Sequence, residues 1–135
     1  MPSFRTNAKE CLEEWFCREW GTTTPVKYWG TRRHPAVPYV EVSVTINGSG
    51  REDEAVEVTG LLAIVLFFAP DEGMDLALGL AGNAVRLLFQ RTFTSNEIHI
   101  TFGDARITGS MERQGGLCSL MVCAPLTARD DSDNP

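Results

Sequence analysis

The sequence predicts an α+β domain: an antiparallel-rich sheet of four to five strands with two helices packed on one face. Three observations predict it. Two segments carry apolar side chains at three- and four-residue steps, the period of an amphipathic helix. Four others alternate or run apolar over strand lengths, and the order reads α-β-β-α-β-β, which suits helices gathered on one side of a sheet. The chain has 135 residues, enough for one modest core.

The first helix is read in "FRTNAKECLEEWFCREW", residues 4–20. Phe4, Ala8, Cys11, Leu12, Trp15, Phe16 and Trp20 form its apolar stripe, Lys9, Glu10, Glu13, Glu14 and Arg18 fill most of the other side, and Gly21 stops it. Val26, Tyr28 and Trp29 suggest a short edge segment, and prolines 25, 35 and 38 keep the rest of 22–38 in a loop.

"YVEVSVTI" (39–46) alternates, with Val40, Val42, Val44 and Ile46 on one side and Tyr39, Glu41, Ser43 and Thr45 on the other. That is a half-buried antiparallel strand. "NGSG" turns the chain, and it returns through "AVEVTGLLAIVLFFA", so a hairpin with a charged tip near 47–55 is expected.

"PDEGMDLALGLAGNAVRLLFQRTF" (70–93) reads as the second helix. Pro70 and Asp71 open it, and Asp71, Glu72 and Asp75 sit near the positive end of its dipole. Gly79 and Gly82 each cost about 1 kcal/mol relative to alanine; close approach to the sheet is the expected compensation. "EIHITFGDARIT" (97–108) is the next strand, with a bulge at Gly103, and "GSMERQGG" leads to the closing strand "LCSLMVCAPL" (117–126). Residues 1–128 form the expected domain, and the acidic 129–135 an expected disordered tail.

The nine residues "LLAIVLFFA" (61–69) are too few to span a bilayer and too apolar for a strand with one wet face. Two helices cover one face. Leu61, Val65 and Phe67 lie on the other, and the chain is too short to supply a third layer. Burial is worth roughly 1.5–3 kcal/mol for each large side chain fully covered. Another subunit is therefore the expected cover; the alternative is a strongly twisted sheet wrapped by the first helix and the 22–38 loop.

A net charge of −6 and a pI near 4.8 argue against nonspecific duplex binding, which needs lysines and arginines on phosphates. "MPSFRTNAKE" lacks the apolar core of a signal peptide, so folding is expected in the compartment of synthesis. The four cysteines, 11, 17, 118 and 123, lack C-x₂-C spacing and read as free thiols; a disulfide is not expected. His34 and His99 have no further metal ligands marked around them. No G-x-S-x-G, H-E-x-x-H or P-loop is present. No catalytic, cofactor or metal site is expected, and no enzyme activity.

With the segments in order, the chain resembles the phage tail terminator family. Pro38, Tyr39, Val40 and Val42 match its proline-led strand. Val65, Phe67, Phe68 and Pro70 match the end of its apolar strand. Gly73, Leu80, Ala81, Val85, Arg86, Leu88 and Phe89 match its second helix. The likeness covers roughly residues 4–126 and consists of packing patterns; the tryptophan-rich first helix and the cysteines depart from it.

The resemblance implies a virion protein at the head-proximal end of the tail, assembled in the host bacterial cytoplasm. It implies a homo-oligomeric ring, typically of six subunits, that binds the last ring of the major tail tube protein and stops growth. It then meets the head–tail connector or stopper protein. Double-stranded DNA passes through the lumen, and no membrane is involved. Arg32, Arg33, Arg51, Glu52, Asp53 and Glu54 are the expected tube or connector contacts, and Leu61, Val65 and Phe67 the expected subunit contacts. Two other readings remain open: a neck or head–tail joining protein of related fold, and a small enzyme or ligand-binding domain using His34, His99 and a cysteine.

Overall fold

A computed structural model describes residues 4–20, 26–28, 38–47, 57–69, 74–108 and 118–130. The order is α1 (Phe4–Trp20), β1 (Val26–Tyr28), β2 (Tyr39–Asn47), β3 (Glu57–Phe68), α2 (Met74–Leu88), β4 (Thr92–Ser95), β5 (Ile98–Phe102), β6 (Arg106–Ile107) and β7 (Cys118–Asp130). The fold is α+β, as the periodicities predict. Among the described residues the sheet has seven strands, ordered β1-β2-β3-β7-β5-β4, with β6 also on β7. Of the described strands only β1, three residues long, runs parallel to its neighbour; the other described pairs are antiparallel. The strands beyond the expected four to five are short.

The hairpin expected from 39–46 and its return is present, with Tyr39 opposite Phe67 and Asn47 opposite Thr59. This register puts Val40, Val42 and Val44 beside Leu66, Ile64 and Leu62 on the inner face, all of them buried. β7 brings Cys118, Leu120, Val122, Ala124, Leu126 and Ala128 to that face, and β5 brings Ile98, Ile100 and Phe102. Both helices close this side: α1 with Ala8, Leu12 and Phe16, α2 with Ala77, Ala81, Ala84 and Leu88.

α1 is buried over nearly half its circumference. At 100° per residue, Cys11 and Trp15 lie on one flank and Lys9 and Glu13 on the other. Trp15 stacks on Phe93 of β4 (4.3 Å, 6°) and tilts against Phe102, and the Cys11 thiol donates to the Ser95 carbonyl at 3.6 Å. α1 also neighbours β2, and Lys9 and Glu13 on the opposite flank face Val42–Thr45 of that strand across a small cleft. The helix thus bridges strands four places apart in the sheet. Arg91 sits over the Trp15 ring at 5.8 Å and pairs with Glu19 at 3.6 Å, tying the far end of α1 to the start of β4.

The second helix is shorter than the expected 70–93. It ends at Leu88, where Gln90 enters the left-handed region (φ 52°) and its N–H turns to the Gly103 carbonyl at 2.9 Å. Phe93 leaves the helical stripe and becomes a strand residue stacked on Trp15. Residues 70–73 lie outside the described set. β4 and β5 form a hairpin closed by Asn96 (φ 52°) and Glu97 (φ 64°), with Ser95 opposite Ile98. Two positive φ values suit a type I′ turn, which asparagine tolerates and glutamate does not.

Gly103 does interrupt the strand expected at 97–108. Its N–H donates to the Pro125 carbonyl at 2.8 Å. A strand residue directs its N–H and C=O to the same neighbour, and proline has no N–H to give there. Pairing with β7 stops at Phe102–Leu126 and resumes at Arg106–Cys123. The closing strand, expected at 117–126, runs from Cys118 to Asp130. Arg129 and Asp130, assigned from sequence to the disordered tail, pair with His99 and Ile98 of β5; this corrects the expected boundary at 128. β5 supplies the partner that holds them in register. Residues 131–135 lie outside the described set.

Candidate interaction surface

Antiparallel partners share a face, so the register lays out the sheet's outer surface row by row. One row is Tyr39–Phe67–Ser119 and the next is Glu41–Val65–Met121. Ser43–Ala63–Cys123–Arg106 follows, then Thr45–Leu61–Pro125. Beyond them four threonines, Thr59, Thr127, Thr101 and Thr92, cross β3, β7, β5 and β4, and last come Glu57, Arg129, His99 and Thr94. The surface is graded: apolar along the middle of β3 and β7, hydroxylated past Leu61, charged at the end.

Leu61, Val65 and Phe67 are brought together here, in line along β3. Leu61 is 38% exposed; Val65 and Phe67 are half-buried beside Ala63, Met121 and Cys123. None of the three belongs to the core cluster on the inner face. Among the described residues no helix crosses this side. Arg32, Arg33, Arg51, Glu52, Asp53 and Glu54 lie outside the described residues, as does the hairpin tip that carries four of them.

Tyr39 is a member the alternation concealed. It falls on the outer, nominally polar side of β2, yet it is 4% exposed and stacks on Phe67 with centroids 5.0 Å apart. Burial pushes its phenol above the ordinary value, and the nearby Glu41 carboxylate adds to this. A tyrosine at the apolar end of an otherwise polar alternation was the available signal.

The other chemistry-bearing groups are dispersed. The four cysteines are free: Cys11 and Cys118 buried, Cys123 half-buried, Cys17 exposed. Burial raises the Cys11 thiol pKa, and a hydrogen bond with the Ser95 side chain, distinct from the thiol's own donation to the Ser95 carbonyl, opposes the shift. His99 shares a 2.9 Å hydrogen bond with Thr94 Oγ1 through Nδ1, and His34 lies outside the described residues. Among the described residues no three His, Cys, Asp or Glu side chains gather as metal ligands. None of the described helices is long and apolar enough to cross a membrane.

α2 departs from expectation on its solvent side. A side chain at Gly79 would meet nothing within 4 Å, and one at Gly82 only the Arg86 guanidinium at 3.7 Å. These glycines do not admit the sheet closely. Gly60 does: an added Cβ there would lie 2.4 Å from the Thr45 carbonyl oxygen. Leu76 (40% exposed), Leu78 (46%) and Phe89 (47%) stand out on the same helix and its end, a feature the apolar stripe 77–88 did not announce.

No protein-family model matches the chain, and no curated protein does. Solved structures do. One superposes with a TM-score of 0.68 at 15% identity, covering 93% of this chain and 92% of the other. At that identity the likeness is one of fold.

Proposed function

We propose that this is a structural virion protein that caps a phage tail tube as a homo-oligomeric ring of six subunits. It ends tube polymerisation and offers the surface on which head and tail join. The observation that carries the reading is the outer strip of Leu61, Ala63, Val65, Phe67 and Met121, apolar and half-exposed on a sheet whose two described helices lie on the other side. Contiguous apolar surface of this kind marks a contact with another molecule. A second support is the meeting of the segments that carry the family likeness. Tyr39 of the proline-led strand stacks on Phe67 of the apolar strand, and Leu80, Ala81, Val85 and Leu88 of α2 pack on or against the core. The acidic chain suits a lumen that lets a duplex pass without adhering.

Light scattering over a concentration series, with and without purified tail tubes, tests this. The expected result is concentration-dependent assembly or rings on tube ends. A chain that stays monomeric and ignores tubes removes the reading. A label visible in electron micrographs of tails separates a tube cap from a neck protein, since the first travels with isolated tails and the second with filled heads.

A further inference from the structure

We infer that α2 carries a second, separate contact: a self-complementary helix face that pairs two copies of this chain antiparallel about a two-fold axis. The buried side of the helix is Ala77, Ala81, Ala84 and Leu88. Directly opposite, along the outward crest, the residues are Asp75, Gly79, Gly82 and Arg86, at steps of four, three and four. Leu78 flanks this line on one side and Leu76 on the other, 46% and 40% exposed. Arg86 is held on the crest by Asn83.

The crest is symmetric in opposite charge. Its midpoint falls between residues 80 and 81, with a glycine and then a charge on either side. An acid stands at one end and a base at the other, about 16 Å apart along the axis. A second copy laid crest to crest and antiparallel places its Arg86 at Asp75 and its Asp75 at Arg86. A parallel copy sets like against like. Antiparallel pairing also opposes the two helix dipoles favourably. The glycines, which meet no backbone and no second side chain in their own protomer, let the axes approach, and Leu76 and Leu78 close over the line. The helix dipole accounts for an acid near the start and a base near the end. It does not account for their alignment with two glycines between exposed leucines.

This face lies across the sheet from the Leu61–Phe67 strip, so it stands or falls independently of the proposed ring. The test uses the full chain carrying Leu61→Asp to weaken the strip, with sedimentation velocity near 0.1 M salt. The parent is expected to dimerise. Asp75→Arg or Arg86→Asp alone weakens the dimer about tenfold, since two attractive pairs become repulsive. An equimolar mixture of the two variants restores it, because each copy then supplies what the other lacks. Gly79→Leu abolishes pairing while raising the melting temperature, a combination that loss of folding cannot produce. A parent that stays monomeric, reversals without effect, or a mixture that stays dissociated overturns the inference. If Leu61→Asp abolishes rings in the native chain while pairing through α2 is absent, only this inference fails. If pairing persists and the native chain never caps tubes, only the proposed function fails.

Discussion

Tyr39 and Phe67 face each other across β2 and β3, rings 5.0 Å apart and inclined by 25°, on the side of the sheet away from both helices. An aromatic pair there anchors the closed end of an otherwise half-exposed apolar strip. Such a stack adds about 0.5–1.5 kcal/mol beyond area burial. Phe67→Ala is expected to cost roughly 1–2 kcal/mol by urea denaturation, below the 3–5 of a fully buried phenylalanine. Phe67→Asp should weaken assembly far more than folding, read as an unchanged circular dichroism spectrum with reduced light scattering. An unfolded Phe67→Asp would place the ring in the monomer's own core.

The glycines of β3 and α2 should respond in opposite directions. Gly60→Ala drives a methyl group into the Thr45 carbonyl and is expected to destabilise by about 2 kcal/mol or more. Gly79→Ala enters open space on a helix and should stabilise by about 0.5–1 kcal/mol. Thermal melts of the two single variants measure both.

Trp15 joins α1 to β4 and β5 and is 3% exposed. Trp15→Ala should cost about 3–5 kcal/mol. Arg91→Ala removes only an exposed cation–π contact and an exposed ion pair, so about 0.5–1 kcal/mol is expected. Chemical denaturation of the two variants ranks them.

Thiol alkylation should proceed first at the exposed Cys17 and last at Cys11 and Cys118. The raised Cys11 pKa leaves less thiolate at any given pH than an ordinary cysteine holds. Its labelling rate should therefore reach half-maximum at a higher pH than that of an ordinary thiol such as free cysteine. Mass spectrometry of labelled peptides across pH follows this; equal rates at Cys11 and Cys17 would mean α1 opens readily.

The Asn96–Glu97 turn predicts a gain. Glu97 holds φ at 64°, and Glu97→Gly should stabilise by roughly 1 kcal/mol in a thermal melt.

Much of this architecture is legible from side-chain period. The 3.6-residue stripe of α1 and the strict alternation of 39–46 locate their elements within a residue, because one face of each is buried and the other is not. The apolar run 61–69 announces its uncovered side for the same reason. What escapes notice is set by partners remote in sequence. Thr92–Ser95 lacks an apolar stripe and counts as strand because β5 pairs with it. The end of α2 is set by a Gly103 carbonyl thirteen residues beyond Gln90. Arg129 and Asp130 look like an acidic tail until β5 takes them into register. The exposed leucines of α2 are hidden in a helix apolar on several sides, where sequence does not say which side the sheet takes.

β7 pairs with β3 from Cys118 to Arg129 and with β5 and β6 on its other edge, yet it follows all the other described strands in sequence. While a ribosome is still making the first hundred residues, the hairpin of β2 and β3 has an open edge and the β4–β5 hairpin has nothing to join. Until β7 emerges, these two hairpins are halves awaiting a keystone. Stalled or truncated translation products should consequently aggregate or be degraded rather than persist as folded fragments.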